Sequence, residues 1–156
     1  MNKSFSGLIA GFAATLPMTI VMKWMHRRLP RTERYPLPPR QITVGVSEAV
    51  GLKQQLSENE RSAVTLASHF AYGALSGGIY GVVSEKISGH PAVKGVAFGL
   101  FVWSGSYLVG LPALGLLRTA TQQPARRNAL MIVAHVVWGV SLGLFHAALQ
   151  PEEAGV

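Results

Sequence analysis

The stretch Ala129-Leu-Met-Ile-Val-Ala-His135-Val-Val-Trp138-Gly139-Val-Ser-Leu-Gly143-Leu-Phe-His146-Ala-Ala-Leu149 runs without a single Asp, Glu, Lys or Arg. At about 1.5 Å of rise per residue, a helix of this length matches the roughly 30 Å hydrocarbon core of a bilayer. A soluble helix would interleave charge on its wet face. Working outward, three more stretches of comparable apolarity occupy residues 5–22, 62–83 and 92–117, the last with Lys94 at its mouth. The composition agrees: of 156 residues 49% are hydrophobic and only 13% charged, against about 25% charged in soluble domains. The expected fold class is all-α: a single membrane domain over 1–156, an integral membrane four-helix bundle made of two antiparallel helix hairpins. Ser57 followed by Glu60 reads as a capping box opening the second span, and Pro124 suits the first turn of the fourth.

The net charge of +7 would suggest a nucleic-acid partner in a soluble chain, but here the cations sit between spans. Eight Lys and Arg lie between the first and second spans and three between the third and fourth, against Lys3 before the first and two between the second and third. The positive-inside rule then puts the first and third connections in the cytoplasm and both termini outside. The rival reading of the first 17 or so residues, a cleaved signal peptide, fits less well because the apolar run continues to Met22 and meets a basic cluster. The connection 23–61 holds Arg27, Arg28, Arg31, Arg34 and Arg40 among Pro30, Pro36, Pro38 and Pro39, which predicts an extended basic strap lying on anionic lipid headgroups. A short surface helix is expected over 42–56, carrying Val44, Val46, Val50 and Leu52.

A short internal repeat points at one face. His69, Tyr72, Gly73 and Gly77 are echoed by His135, Trp138, Gly139 and Gly143, and Gly7 and Gly11 by Gly95 and Gly99. Small residues four apart let helix backbones approach closely in lipid, so these eight glycines are the expected packing positions. His69 and His135 share a stripe with them and should lie at similar depth. With no acidic or basic residue well inside a span, a carboxylate-based pump is not expected. The histidines could bond to hydroxyls such as Thr15, Thr19 or Ser104, sense pH, or ligate a haem b from both faces; a two-histidine zinc site lacks a third ligand. Pro17 and Pro112 permit kinks. With no cysteine and no phosphate loop, metalloprotease pattern or nucleophile set, neither catalysis nor a resident metal is expected.

The segments Gly7-Leu8-Ile9-Ala10-Gly11, Lys23-Trp24, Pro36-Leu37-Pro38-Pro39-Arg40 and the stretches opened by His69 and His135 together resemble the YagU-like family of bacterial inner-membrane proteins, in order and over most of the chain. The chain looks like a short member without the long insert before the second span. The resemblance implies an inner-membrane location and a biochemistry that is unsettled, with a link to acid stress; it supplies no catalytic residues. The combined expectation is a non-enzymatic multi-pass protein acting as a small channel, carrier or partner-binding subunit, with a bis-histidine haem protein as the alternative. The bilayer is its partner, alongside a second copy or a membrane complex.

Overall fold

The computed structural model describes residues 2–49, 51 and 57–150, and every regular element among them is helical. Helix α1 (Lys3–His26) opens on Asn2, whose side chain accepts from the Ser4 N–H at 3.0 Å, and it runs through Pro17 without a break. After a 3-10 turn at Arg31–Glu33 comes α2 (Pro38–Ala49), then α3 (Glu58–Val83). The capping box at the start of α3 is present. Glu60 N–H donates to the Ser57 hydroxyl, and the Glu60 carboxylate accepts from the Ser57 N–H at 2.7 Å. Helix α4 (Pro91–Ser104) passes into a π-helical segment (Gly105–Gly110) and a last turn, α5 (Leu111–Ala113). Helix α6 (Ala125–Ala148) begins one residue after Pro124, which caps it.

The π segment has a local cause. Pro112 has no N–H to give, and just before it the ladder widens, so that the Leu111 N–H reaches the Ser106 carbonyl five residues back. The kink expected at Pro112 therefore takes the form of an inserted residue, whereas Pro17 leaves α1 continuous.

The strap differs from the extended segment that its prolines suggest. Pro38 and Pro39 sit in the first turn of α2, where a helix needs no N–H donors and a fixed φ is already suitable. The surface helix thus starts at Pro38 and not at residue 42. Of the residues expected in it, Val50 and those at 52–56 lie outside the described set.

Among the described residues three helices are long and apolar enough to cross a membrane: Lys3–His26, Pro91–Ala113 and Ala125–Leu149. Many large apolar side chains turn outward along the long helices, with Leu16, Ile20, Leu75, Ile79, Val93, Phe101 and Val109 all more than half exposed. Such a girdle suits hydrocarbon and would be an aggregation surface in water.

The long helices stand in the spatial order α3, α1, α6, α4. Neighbours are antiparallel, and two of the three contacts are made by backbone. A Cβ built on Gly7 would meet the Gly77 carbonyl oxygen at 2.2 Å, and one on Gly11 the Gly73 oxygen at 2.2 Å. In the other pair Gly95 meets the Gly139 oxygen at 2.0 Å, Gly143 the Pro91 oxygen at 2.1 Å, and Gly99 the His135 oxygen at 2.5 Å. The register of the two pairs is therefore Gly7 with Pro91, Gly11 with Gly95 and Thr15 with Gly99, one turn away from matching Gly7 to Gly95. The middle contact, α1 against α6, is made by side chains, with Ala10, Ala14, Met18, Leu130, Ala134, Trp138 and Leu142 buried along it. The Trp138 indole N–H donates to the Gly11 carbonyl at 3.3 Å.

Candidate functional site

The two ends of the row, α3 and α4, close on each other only toward the end opposite the basic connections. There the Tyr80 ring lies 5.3 Å from Phe98, the Tyr80 hydroxyl donates to the Pro91 carbonyl, and Lys94 Nζ donates to the Ser84 carbonyl at 3.0 Å. Toward the basic end they diverge and leave a cavity of about 260 Å3. Its walls are Thr15 and Met18 from α1, Ser68, His69, Tyr72, Gly73 and Ser76 from α3, and Met131, His135 and Trp138 from α6. Val102, Ser106, Tyr107 and Leu111 come from α4 and its extension, and Pro39, Ile42 and Thr43 of α2 complete the lining. The π insertion matters here. Val102 to Tyr107 is a spacing of five, which the wider π turn sets on one face and a regular helix would set about 140° apart, so Tyr107 joins Val102 and Ser106 on the cavity side.

Both repeat histidines reach this cavity. His135 is buried, and its Nδ1 lies 2.7 Å from the Met131 carbonyl. A carbonyl can only accept, so the neutral ring carries its proton on Nδ1 and presents Nε2 as an acceptor. The Tyr107 ring stands edge-on to His135 at 5.8 Å and holds its orientation. The Nε2 of His69 is buried with no hydrogen-bond partner. An orphaned buried polar atom is costly, and it marks a place where a ligand or water would gain most.

The hydroxyls expected to satisfy the histidines do something else. Thr15 and Thr19 donate to the carbonyls four residues back, Gly11 and Thr15, at 2.8 and 2.7 Å, and Ser104 donates to the Phe101 carbonyl. In a helix that carbonyl is always in reach, and a distant imidazole must compete with it. The hydroxyl pair that does cross the cavity is Tyr72 with Ser106, 3.0 Å apart. Among the described residues no group of three His, Asp or Glu side chains is gathered as a metal would need.

The strap arginines divide. Arg27, Arg28, Arg31 and Arg34 are exposed. Arg28 stacks on Trp24 at 3.5 Å, and Arg34 Nε donates to the Leu29 carbonyl. Arg40 pairs with Glu58 at 2.5 Å, tying α2 to the first turn of α3. The basic residue that organises the strap is another one, Arg127. It is buried at 4% exposure, and it donates to the carbonyls of Glu33, Tyr35 and Pro36 at 2.8, 2.9 and 2.9 Å. Its guanidinium also lies over the Tyr35 ring at 3.6 Å. A planar fork with five donors reaches carbonyls strung along the strap while lying flat on the Tyr35 ring, whereas the three donors of a lysine ammonium radiate from one atom that cannot stack in this way. In the sequence Arg127 is one of a cationic pair before a span. Only the unusual density of carbonyls without N–H neighbours in Pro36-Leu37-Pro38-Pro39 hints that something must bind them.

No curated relative and no solved structure matches the chain. A family model described as a protein of unknown function (DUF1440) matches residues 18–144, which takes in the strap, both histidines, Arg127 and every residue of the cavity lining but Thr15. The chain belongs to that family of unknown function, DUF1440.

Proposed function

We propose that the chain is a four-span inner-membrane bundle of two helix hairpins that holds a small uncharged molecule in the cavity between α3 and α4, as a carrier or membrane-embedded binding subunit and without catalysis. The fourth span is α3. Its glycines touch the backbone of α1 over most of the contact, and α1 is long and apolar enough to cross, so a helix in backbone contact with it shares its depth. The basic end is the cytoplasmic one and both termini are periplasmic, on the charge distribution already given. The resemblance to YagU-like proteins and its link to acid stress fit this location. Arg27, Arg28, Arg31 and Arg34 rest on anionic headgroups, at about 1 kcal/mol each near the surface, and the glycine pairs hold the hairpins.

One observation carries the functional reading. A cavity at the basic end is lined by two imidazoles, two tyrosines, three serines and two threonines on otherwise apolar walls, with no Asp, Glu, Lys or Arg among the lining residues. Sparse polar groups on an apolar surface are the mark of a small-molecule site, and about 260 Å3 lies just below the ~300–1,000 Å3 of drug-sized sites. The absence of cysteine supplies the test. Ser76→Cys on the cavity wall should react with a small neutral maleimide much faster than Ser84→Cys, which is equally buried but lies away from it. Equal rates would remove the cavity as an accessible site.

A haem held by His69 and His135 is the second reading, favoured because both imidazoles reach one cavity. Oxidised and reduced absorption spectra of the purified protein separate the two. A haem band lost in both His69→Ala and His135→Ala would replace the small-molecule reading.

A further inference from the structure

We infer that the occupant is a single-chain uncharged amphiphile delivered from the bilayer, and that the Tyr72–Ser106 hydroxyl pair is the lateral gate it passes. This rests on the reading of the cavity as a binding site and names the ligand class and its route.

The route follows from how the cavity is walled. On the aqueous side it is roofed by Pro39, Ile42 and Thr43, and that roof is fastened twice, by the Arg40–Glu58 ion pair and by the Arg127 clasp on the strap just before α2. On the side between α3 and α4 nothing comparable exists. From Tyr80 and Phe98 toward the basic end, the one side-chain hydrogen bond joining the two helices among the described residues is Tyr72 to Ser106. Tyr72 is 52% exposed, and large apolar side chains of the same two helices are turned outward as well, Leu75 at 64% on α3 and Phe101 at 71% on α4, as suits hydrocarbon. The thinnest wall of the site is thus the one against lipid. The π segment that delivers Ser106 to the bridge is a helical form common at functional sites.

The ligand class follows from the lining. An anion would lack a cation and a cation would lack a carboxylate, so a charged head would enter uncompensated. The partnerless His69 Nε2, with the Ser68 and Ser76 hydroxyls on the same wall, offers hydrogen bonds to a head. A hydroxyl head, which both donates and accepts, suits either tautomer of that ring. Met18, Met131, Val102 and Leu111 provide flexible apolar walls of the kind that adapt to an alkyl chain.

Trp138 lines the cavity and reports on it once Trp24→Phe and Trp103→Phe are made. In phosphatidylcholine vesicles, a terminally brominated long-chain alkanol should quench Trp138 saturably, and the unbrominated alkanol should reverse it. Tyr72→Cys with Ser106→Cys, bridged by a short reducible bis-methanethiosulfonate linker, should lose the saturable quenching and regain it on reduction. Tyr72→Phe, which removes only the bridging hydroxyl, should quench faster than the parent. Brominated alkyl sulfate and alkylammonium should quench without saturation. Quenching that rises linearly with alkanol, or that the linker leaves unchanged together with an unchanged rate in Tyr72→Phe, overturns the gate. Saturation by the charged amphiphiles overturns the ligand class. If Ser76→Cys labels readily while alkanol quenching never saturates, this inference fails and the cavity reading survives; if Ser76→Cys does not label, the cavity reading fails first.

Discussion

Gly77→Ala isolates what the glycine contacts contribute. A Cβ at residue 77 would lie 2.3 Å from the Gly7 oxygen and 2.6 Å from the Gly11 Cα. Both are backbone atoms of α1, so no rotamer change relieves the overlap and the helices must separate. Reaching the 3.4 Å of ordinary contact from 2.3 Å requires about 1.1 Å. A gap of that size forfeits a quarter to a half of each dispersion well, which at a mid-range depth of about 0.15 kcal/mol and on the order of forty atom pairs across the contact comes to about 1.5–3 kcal/mol. Overpacking elsewhere costs a similar 1–3 kcal/mol. The same change at Gly105, where a Cβ meets nothing within 4 Å, brings only the helix-propensity gain of at most about 1 kcal/mol. Because that gain is common to both variants, their difference reads the packing loss alone. Equilibrium unfolding in mixed micelles, followed by circular dichroism, should put Gly77→Ala about 1.5–3 kcal/mol below Gly105→Ala. A difference under about 0.5 kcal/mol, the scatter of ordinary surface changes, would falsify the claim that backbone contact joins α1 to α3.

Three further outcomes are expected. Arg127→Lys should loosen the strap, since an ammonium offers its donors from one atom and loses both the spread of the guanidinium fork and its stacking on Tyr35; cleavage by a Glu-specific protease after Glu33 should accelerate over the parent, and unchanged cleavage would reduce Arg127 to a topogenic charge. The Glu60 carboxyl is held below its usual 4.5 by hydrogen bonds from the Ser57 hydroxyl and N–H. A depressed value means that the carboxylate supports the first turn of α3 at all pH above 4.5 and that the support fades as pH falls through the lowered value, so amide exchange at residues 58–61 should rise only under acid, and a rise near neutrality would contradict the cap. A reporter enzyme fused after Val156 should be active in the periplasm and silent in the cytoplasm, and the opposite pattern would invert the proposed orientation.

Some of this architecture was legible before any coordinates, and the physical reason is locality. Apolar runs such as 129–149 declare a helix and its solvent in one stretch, and Ser57 with Glu60 is a cap written in four residues. The hydroxyls of Thr15, Thr19 and Ser104 misled because a side chain's cheapest partner is its own helix, four or three residues back, and a sequence does not display that competition. Arg127 was invisible for the complementary reason. Its partners lie more than ninety residues away, and they become a binding site only once the strap has folded into one particular curve. Pro38 and Pro39 were read as helix breakers, though at a first turn they are helix starters; only the position of the turn decides which.

The cavity follows from where the two halves of the chain stop resembling one another. Superposed in the observed register, α1 and α3 match α4 and α6 through the glycine contacts, with Gly73 answering Gly139 and Gly77 answering Gly143. Beyond them, toward the basic end, the halves diverge at two points. The aromatic before the first glycine is Trp138 in α6, which turns inward to the Gly11 carbonyl, but Tyr72 in α3, which turns outward to Ser106. The proline of the first half leaves α1 regular, and that of the second comes with an extra residue in the helix ahead of it. A symmetric packing of the two halves would bury both histidines in matching contacts. This one buries His135 against Met131 and leaves His69 Nε2 without a partner across the opening. If that asymmetry is functional, removing the orphaned nitrogen should be harmful. His69→Phe should raise stability by removing an unsatisfied buried nitrogen, by about 1–3 kcal/mol, while it abolishes saturable occupancy of the cavity; a variant that is more stable and binds as well would mean that the orphaned nitrogen is only an imperfection of packing.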